Sequence, residues 1–232
     1  MKRVGFIGAY EKTDLIMYIA KLLTIMGKRV IVIDSTVNQK AKYIVPVINP
    51  TVSYVTEFED IDVAVGFSSM NEIKRYLGDS DNSELNYDYA LIDIDSTENV
   101  EKFDSKTAFR NYFVTSFDTY SIKKGLEILE NIKEPLRLTK ILFAKDILKE
   151  EDEYLNYLSL GYKVIWNDYK IYFGLETGDQ SAIIENQRVS KIKYSNLTNQ
   201  YKESLTYIAE ELLENINVGS LKRALKTVEK GE

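Results

Sequence analysis

Apolar runs alternate with amphipathic stretches along the chain, the pattern of βαβ units around a mainly parallel sheet. Residues 4–9 predict a short buried strand that ends in small residues. Leu15, Ile16, Ile19, Leu22, Leu23 and Met26 recur at helical spacing, which predicts a helix over 13–26 closed by Gly27. Residues 29–34 are apolar almost throughout, as a strand covered on both faces should be. Further strands are expected over 89–95, 112–115, 140–144, 163–166 and 170–173. Helices are expected over 69–77, 119–132, 149–158, 199–215 and 220–228. The stretch from Ala41 to Phe67 predicts three short strands, over 43–47, 52–58 and 63–67. The pattern leaves open whether they form an inserted hairpin or part of the main sheet.

Three Pro and eleven Gly punctuate 232 residues, and neither a low-complexity linker nor a repeat is visible. The expectation is one α/β domain over 1–232, with a helical tail over about 216–232. That length buries a sizeable core unaided. The chain has no Cys and no His, which excludes disulfides, thiolate metal sites, Cys nucleophiles and imidazole-based triads. Only carboxylates remain as strong metal ligands, so zinc is not expected. The net charge of -6 and the scattered Lys and Arg argue against nucleic acid as a partner. No stretch approaches the ~20 apolar residues of a spanning helix, and polar residues interrupt the N-terminal apolar run too early for a signal peptide. The protein is read as cytoplasmic, and its Lys, Ile, Asn and Tyr richness as bacterial.

The strand, loop and helix from Lys2 to Met26, followed by the apolar strand ending at Asp34, resemble the start of the ParA/MinD family of P-loop ATPases with a deviant Walker A loop. Phe6-Ile7-Gly8-Ala9-Tyr10-Glu11-Lys12-Thr13-Asp14 occupies the place of that family's Gly-Lys-Gly-Gly-x-Gly-Lys-Thr-Thr. Asp88-Tyr89-Ala90-Leu91-Ile92-Asp93 looks like the Walker B strand. The resemblance implies a doubly wound, P-loop NTPase-like sheet with helices on both faces. It also implies ATP and Mg2+ as ligands. Gly8, Ala9, Lys12, Thr13, Asp34 and Asp93 would contact the nucleotide, and Thr13 and Asp93 the metal.

Several positions depart from the family pattern. Phe6 replaces the opening Gly, and Ile7 replaces the signature Lys that reaches a dimer partner. Glu11 replaces the Gly before the Lys, Asp14 the second Thr, and Thr36 the second Asp of Asp-x-Asp. A carboxylate about 4 Å from phosphate costs on the order of 4 kcal/mol at an effective dielectric near 20, about the scale of a millimolar affinity. The parts implied in hydrolysis are poorer than those implied in binding, and no catalytic residue is assigned.

Each motif also has a plain reading. Thr13 could N-cap the helix, with Asp14 at its positive end. Asp34 and Asp93 could be polar residues where strands meet solvent, although the carboxyl edge of a parallel sheet is where α/β ligands bind. Asp93, Asp95 and Glu98 could hold a cation with Asp34, or line a solvated loop. Glu150 to Glu153 suits a helix start, and the tyrosines at 154, 157, 162, 169 and 172 suit packing at the sheet rim. The basic amphipathic helix near the C-terminus parallels the membrane-binding helix of MinD relatives. It lacks Trp and Phe, so docking on the domain is the stronger expectation and peripheral membrane contact the weaker.

The functional expectation is a degenerate ParA/MinD-like protein, a pseudo-ATPase. It would position or assemble a bacterial machine such as a pilus, secretion, conjugation or partition apparatus, through protein partners and homodimer formation. The TadZ/CpaE-type localisation proteins are the nearest analogy. The alternatives are an active ATP-dependent dimerisation switch of that family and an unrelated α/β binding domain.

Overall fold

The computed structural model describes residues 1–47, 51–78, 85–145, 149–174, 176–214 and 218–231. Parts of the 41–67 stretch and of the 216–232 tail, and the side chains of Glu150 and Glu151, lie outside the described residues.

Eight strands form one sheet: β1 (Lys2–Ile7), β2 (Val30–Asp34), β3 (Tyr54–Phe58), β4 (Ile61–Val65), β5 (Tyr89–Ile94), β6 (Arg110–Ser116), β7 (Leu136–Ala144) and β8 (Val164–Gly174). Their order is β3-β4-β2-β5-β1-β6-β7-β8, and every pair is parallel except β3 with β4. The helices are α1 (Thr13–Ile25), α2 (Ala41–Ile44), α3 (Met70–Tyr76), α4 (Thr97–Lys102), α5 (Thr119–Glu127), α6 (Lys149–Leu158), α7 (Thr177–Val189), α8 (Asn199–Leu213) and α9 (Val218–Gly231).

Strand periodicity divides the core in two. Val4, Phe6, Val32, Leu91 and Val114 face one layer with α1, α8 and α9. Ile7, Ile33, Ile92 and Phe113 face the other, with α3, α4, α5 and α6. The expected doubly wound sheet with helices on both faces is therefore present. β1 lies between β5 and β6, so the strand order reverses at its carboxyl end, where α/β folds form ligand crevices.

Several elements differ from the pattern reading. Residues 43–47 are not a strand: Ala41–Ile44 is a helical turn, seated by the Asp34 carboxylate on the Ala41 N–H at 2.8 Å. β3 and β4 are both an antiparallel hairpin and an extension of the main sheet. Their two-residue turn, Glu59-Asp60, has positive φ at both residues, a geometry that Asn-Gly normally fills. Lys21 Nζ holds it by donating to Glu59 O at 2.9 Å and Asp60 Oδ2 at 3.0 Å.

The two segments expected over 163–166 and 170–173 are one strand, β8. Its register on β7 jumps from Leu138↔Trp166 to Lys140↔Lys170, so Asn167, Asp168 and Tyr169 bulge opposite Thr139. α9 docks on the domain: Leu221 and Leu225 are buried against the α1 and α8 layer, and Lys202 pairs with Glu229 at 2.9 Å. Among the described residues no helix is long and apolar enough to cross a membrane.

Candidate functional site

Register brings the sequence candidates together. Asp34 and Asp93 are neighbours across β2 and β5, and Phe6 pairs with Asp93 across β1 and β5. Asp93 follows Tyr89 and Leu91 at period two, and Asp34 follows Val30 and Val32, so both carboxylates point to the α1 side. The segment Gly8–Lys12 connects β1 to α1 directly above them.

Gly8 is the tightest point of this turn. Its φ is +150°, and a Cβ there would stand 2.1 Å from the Val114 carbonyl oxygen on β6. Its N–H donates to Ile94 O at 3.1 Å, which ties the loop to β5. Ala9 follows, half-buried. Phe6 and Ile7 belong to β1 and are fully buried. The position of the family's signature Lys is thus a core residue facing the α5 layer.

The Lys12 side chain is 3% exposed, and its Nζ lies 2.7 Å from Asp93 Oδ1. The same ammonium donates to Gly8 O at 2.9 Å. Thr13 Oγ1 donates to Asp93 Oδ2 at 3.0 Å. Thr13 is therefore not the N-cap. Lys12 holds that position, Thr13 is the first helical residue, and its hydroxyl is turned toward the sheet. The N–H of Thr13 donates instead to Glu11 Oε1 at 2.8 Å. Glu11 thus offers its own carboxylate at the positive end of α1. Lys40 completes the rim, 2.6 Å from Asp14 Oδ2 and 3.3 Å from Glu11 Oε1. Gln187 on α7 donates to Asp14 Oδ1 at 2.8 Å. Burial opposes the Lys40 charge, but Asp14 and Glu11 outweigh it and raise its pKa.

Asp34 is fully buried with both oxygens engaged. Oδ1 accepts from Thr36 N at 3.0 Å and Thr36 Oγ1 at 2.6 Å, and Oδ2 accepts from Ala41 N. It organises the loop after β2 from a fully buried position, and Asp93 is buried too, so neither carboxylate sits where a strand meets solvent. Asp95 accepts from Val37 N at 3.0 Å. Among the described residues no group of three or more acidic side chains is placed to hold a metal ion, so the acidic cluster does not assemble.

Burial drives the Asp93 carboxyl up to about 6; the Lys12 ammonium opposes the shift and Asp34 adds to it. An unfolded Asp titrates near 3.9. The folded state therefore holds the extra proton between these values, and its stability falls as pH rises from about 4 to about 6, at no more than roughly 1.4 kcal/mol per unit. Urea midpoints should show wild type losing more stability than Asp93→Asn between pH 4.5 and 6.5. Equal losses would show that Asp93 is not the titrating group.

Mg2+ on Thr13 and Asp93, with phosphate on Lys12, is what the resemblance implies. As arranged, the donors do not fit it. The Lys12 ammonium already occupies the cation position at Asp93, and Glu11 occupies the anion position at Thr13 N–H. The hollow beside the loop, about 130 Å³ and walled by Tyr10, Phe143 and Gly174, opens past Glu11. Tyr10 stacks on Phe143 with ring centroids 4.8 Å apart.

By sequence, no protein-family model and no curated protein matches the chain. By structure, it is similar to the MinC:MinD cell division protein complex of Aquifex aeolicus (TM-score 0.61, 14% identity, covering 94% of this chain and 98% of that one). It is also similar to a McdA variant of Cyanothece in complex with ATP (TM-score 0.60, 12% identity, 94% and 98%). A ParA family ATPase from Chlorobium tepidum TLS gives a TM-score of 0.58 at 12% identity, with 90% and 98% covered. At these identities the likeness establishes the fold.

Proposed function

From the premise that the chain has the ParA/MinD fold, we propose that it works as a positioning or assembly factor for a bacterial machine, through protein contacts, with little or no ATP hydrolysis. One observation carries this reading: the loop that would cradle a nucleotide is filled by its own side chains, Glu11 on the Thr13 N–H and Lys12 on Asp93. A phosphate would have to displace a carboxylate that both competes for the N–H and repels it. Lys12 would have to leave a buried partner, which costs several kcal/mol on the usual scale for broken buried pairs. The buried Ile7 supports the same reading, because no Lys projects from that position toward a second subunit. A homodimer of this chain would then form without a bridging nucleotide.

Exposed Val37, Tyr43 and Tyr120 lie on the loops and helix starts following β2 and β6, the edge at which a protein partner would meet the loop. Titration with ATP and Mg2+ by calorimetry tests the proposal. No heat is expected up to about 1 mM nucleotide, a binding free energy near −4 kcal/mol. Binding tighter than about 100 μM that vanishes in Lys12→Ala would replace this reading with the active dimerisation switch.

A further inference from the structure

At the opposite pole of the sheet, a hollow of about 260 Å³ opens at the amino ends of β6 and β7. Lys106, Arg110 and Arg137 line it, together with Phe109, Leu136 and the Asn167 amide, and no carboxylate does. This gathering of cations occurs in a chain of net charge -6.

The three cations are held differently. Arg110 is tethered through Nε to Glu211 Oε1 at 3.0 Å, and its guanidinium lies 5.1 Å from the Phe109 ring centroid. Lys106 reaches Glu134 at the rim. Arg137 has no ion pair among the described residues. Its Nη1 makes one long hydrogen bond, 3.4 Å to Asn167 Oδ1. Asn167 is itself fixed by donating Nδ2 to Thr139 Oγ1 at 2.7 Å, so the β8 bulge is what brings this amide to the hollow. The result is an uncompensated guanidinium fork, two further cations around it and an apolar wall.

We propose that this hollow binds a phosphate monoester, with the phosphoryl group on Arg137 and the organic part against Phe109 and Leu136. A planar fork meets phosphate oxygens in pairs, which an ammonium cannot do. The volume exceeds what the phosphoryl group alone fills, which favours a monoester over inorganic phosphate. The reading is independent of the Lys12 loop and stands or falls separately from the proposed function.

Calorimetry on the full chain with phenyl phosphate and with inorganic phosphate is the test. Binding of phenyl phosphate is expected, several-fold tighter than inorganic phosphate. It should weaken at least tenfold in Arg137→Ala, weaken partially in Arg137→Lys, and stay unchanged when the exposed Lys226 on α9 is replaced in Lys226→Ala. Arg137 is exposed, so thermal midpoints of its variants should match wild type and separate lost binding from lost fold. Two further arms use phosphatidic acid vesicles and a DNA duplex. Vesicle binding that phenyl phosphate competes away would identify a lipid headgroup as the source of the monoester. Absence of phenyl phosphate binding, binding insensitive to Arg137, or binding of the duplex alone would overturn the proposal.

Discussion

Asp93→Ala is expected to remove about 3–5 kcal/mol of stability, because it leaves the Lys12 ammonium buried without its partner. Net stabilities of about 5–15 kcal/mol make that a large fraction of the whole. At roughly 2–4 °C per kcal/mol for a chain of this size, the thermal midpoint should fall by roughly 6–20 °C. The double variant Lys12→Met with Asp93→Leu should recover most of the loss. Both charges then leave together, and a buried pair often does no better than well-packed apolar residues. The raised pKa of Asp93 points the same way, since burial disfavours its ionised form despite Lys12. Thermal melts of the single and double variants settle it; a double variant as unstable as the single would mean that the pair supplies net stability.

Gly8→Ala should be comparably damaging for a different reason. The added Cβ would stand 2.1 Å from a backbone oxygen of β6, at a φ that residues with side chains rarely adopt. The hydrogen bond from Gly8 N–H to Ile94 O ties the turn to β5 and opposes the shift that would relieve this clash. A loss of about 3 kcal/mol or more is expected, within the range of strained-backbone and overpacking effects combined. Ala9→Gly, one residue on, should change stability by less than about 1 kcal/mol. Urea denaturation of the two variants provides the comparison. Similar values would show that the loop tolerates movement at Gly8.

The central strands and α1 were legible because their apolar residues repeat over long enough runs to fix both type and face. α7 was not. Only Asp179, Ala182 and Asn186 of its residues are buried, and two of those are polar, so no apolar stripe marks it. Asp179 is satisfied by Thr198 N and Oγ1, a contact across nineteen residues that no local pattern contains. The hairpin at 54–65 lacked its usual Asn-Gly signal because Lys21 on α1 stabilises Glu59-Asp60 from outside the turn. β8 read as two strands because three polar or aromatic residues bulge in its middle.

At the candidate site, position was legible and occupancy was not. The strand ends at Asp34 and Asp93 and the Lys12-Thr13 pair follow from pattern. That Glu11 bends back to Thr13 N–H is a matter of side-chain torsions, for which spacing gives no sign. Repulsion of phosphate follows from the Glu11 charge alone; direct competition for the same donor follows only from where its carboxylate is placed. Asp34 shows the reverse case: two backbone N–H groups and the Thr36 hydroxyl engage both oxygens of a candidate ligand, contacts that spacing alone does not reveal.

The bulge in β8 also bears on how copies of this chain can assemble. An unbroken edge strand invites another strand to add in register, whereas a bulge offsets the outward N–H and C=O groups so that a straight partner cannot match them. The opposite edge, β3, is only five residues long. Sheet growth is therefore discouraged at both ends, which favours helix faces and loop edges as the joints of any ordered array of this protein. Such an array would come apart and rebuild by side-chain contacts alone, without the kinetic permanence of continuous β-structure.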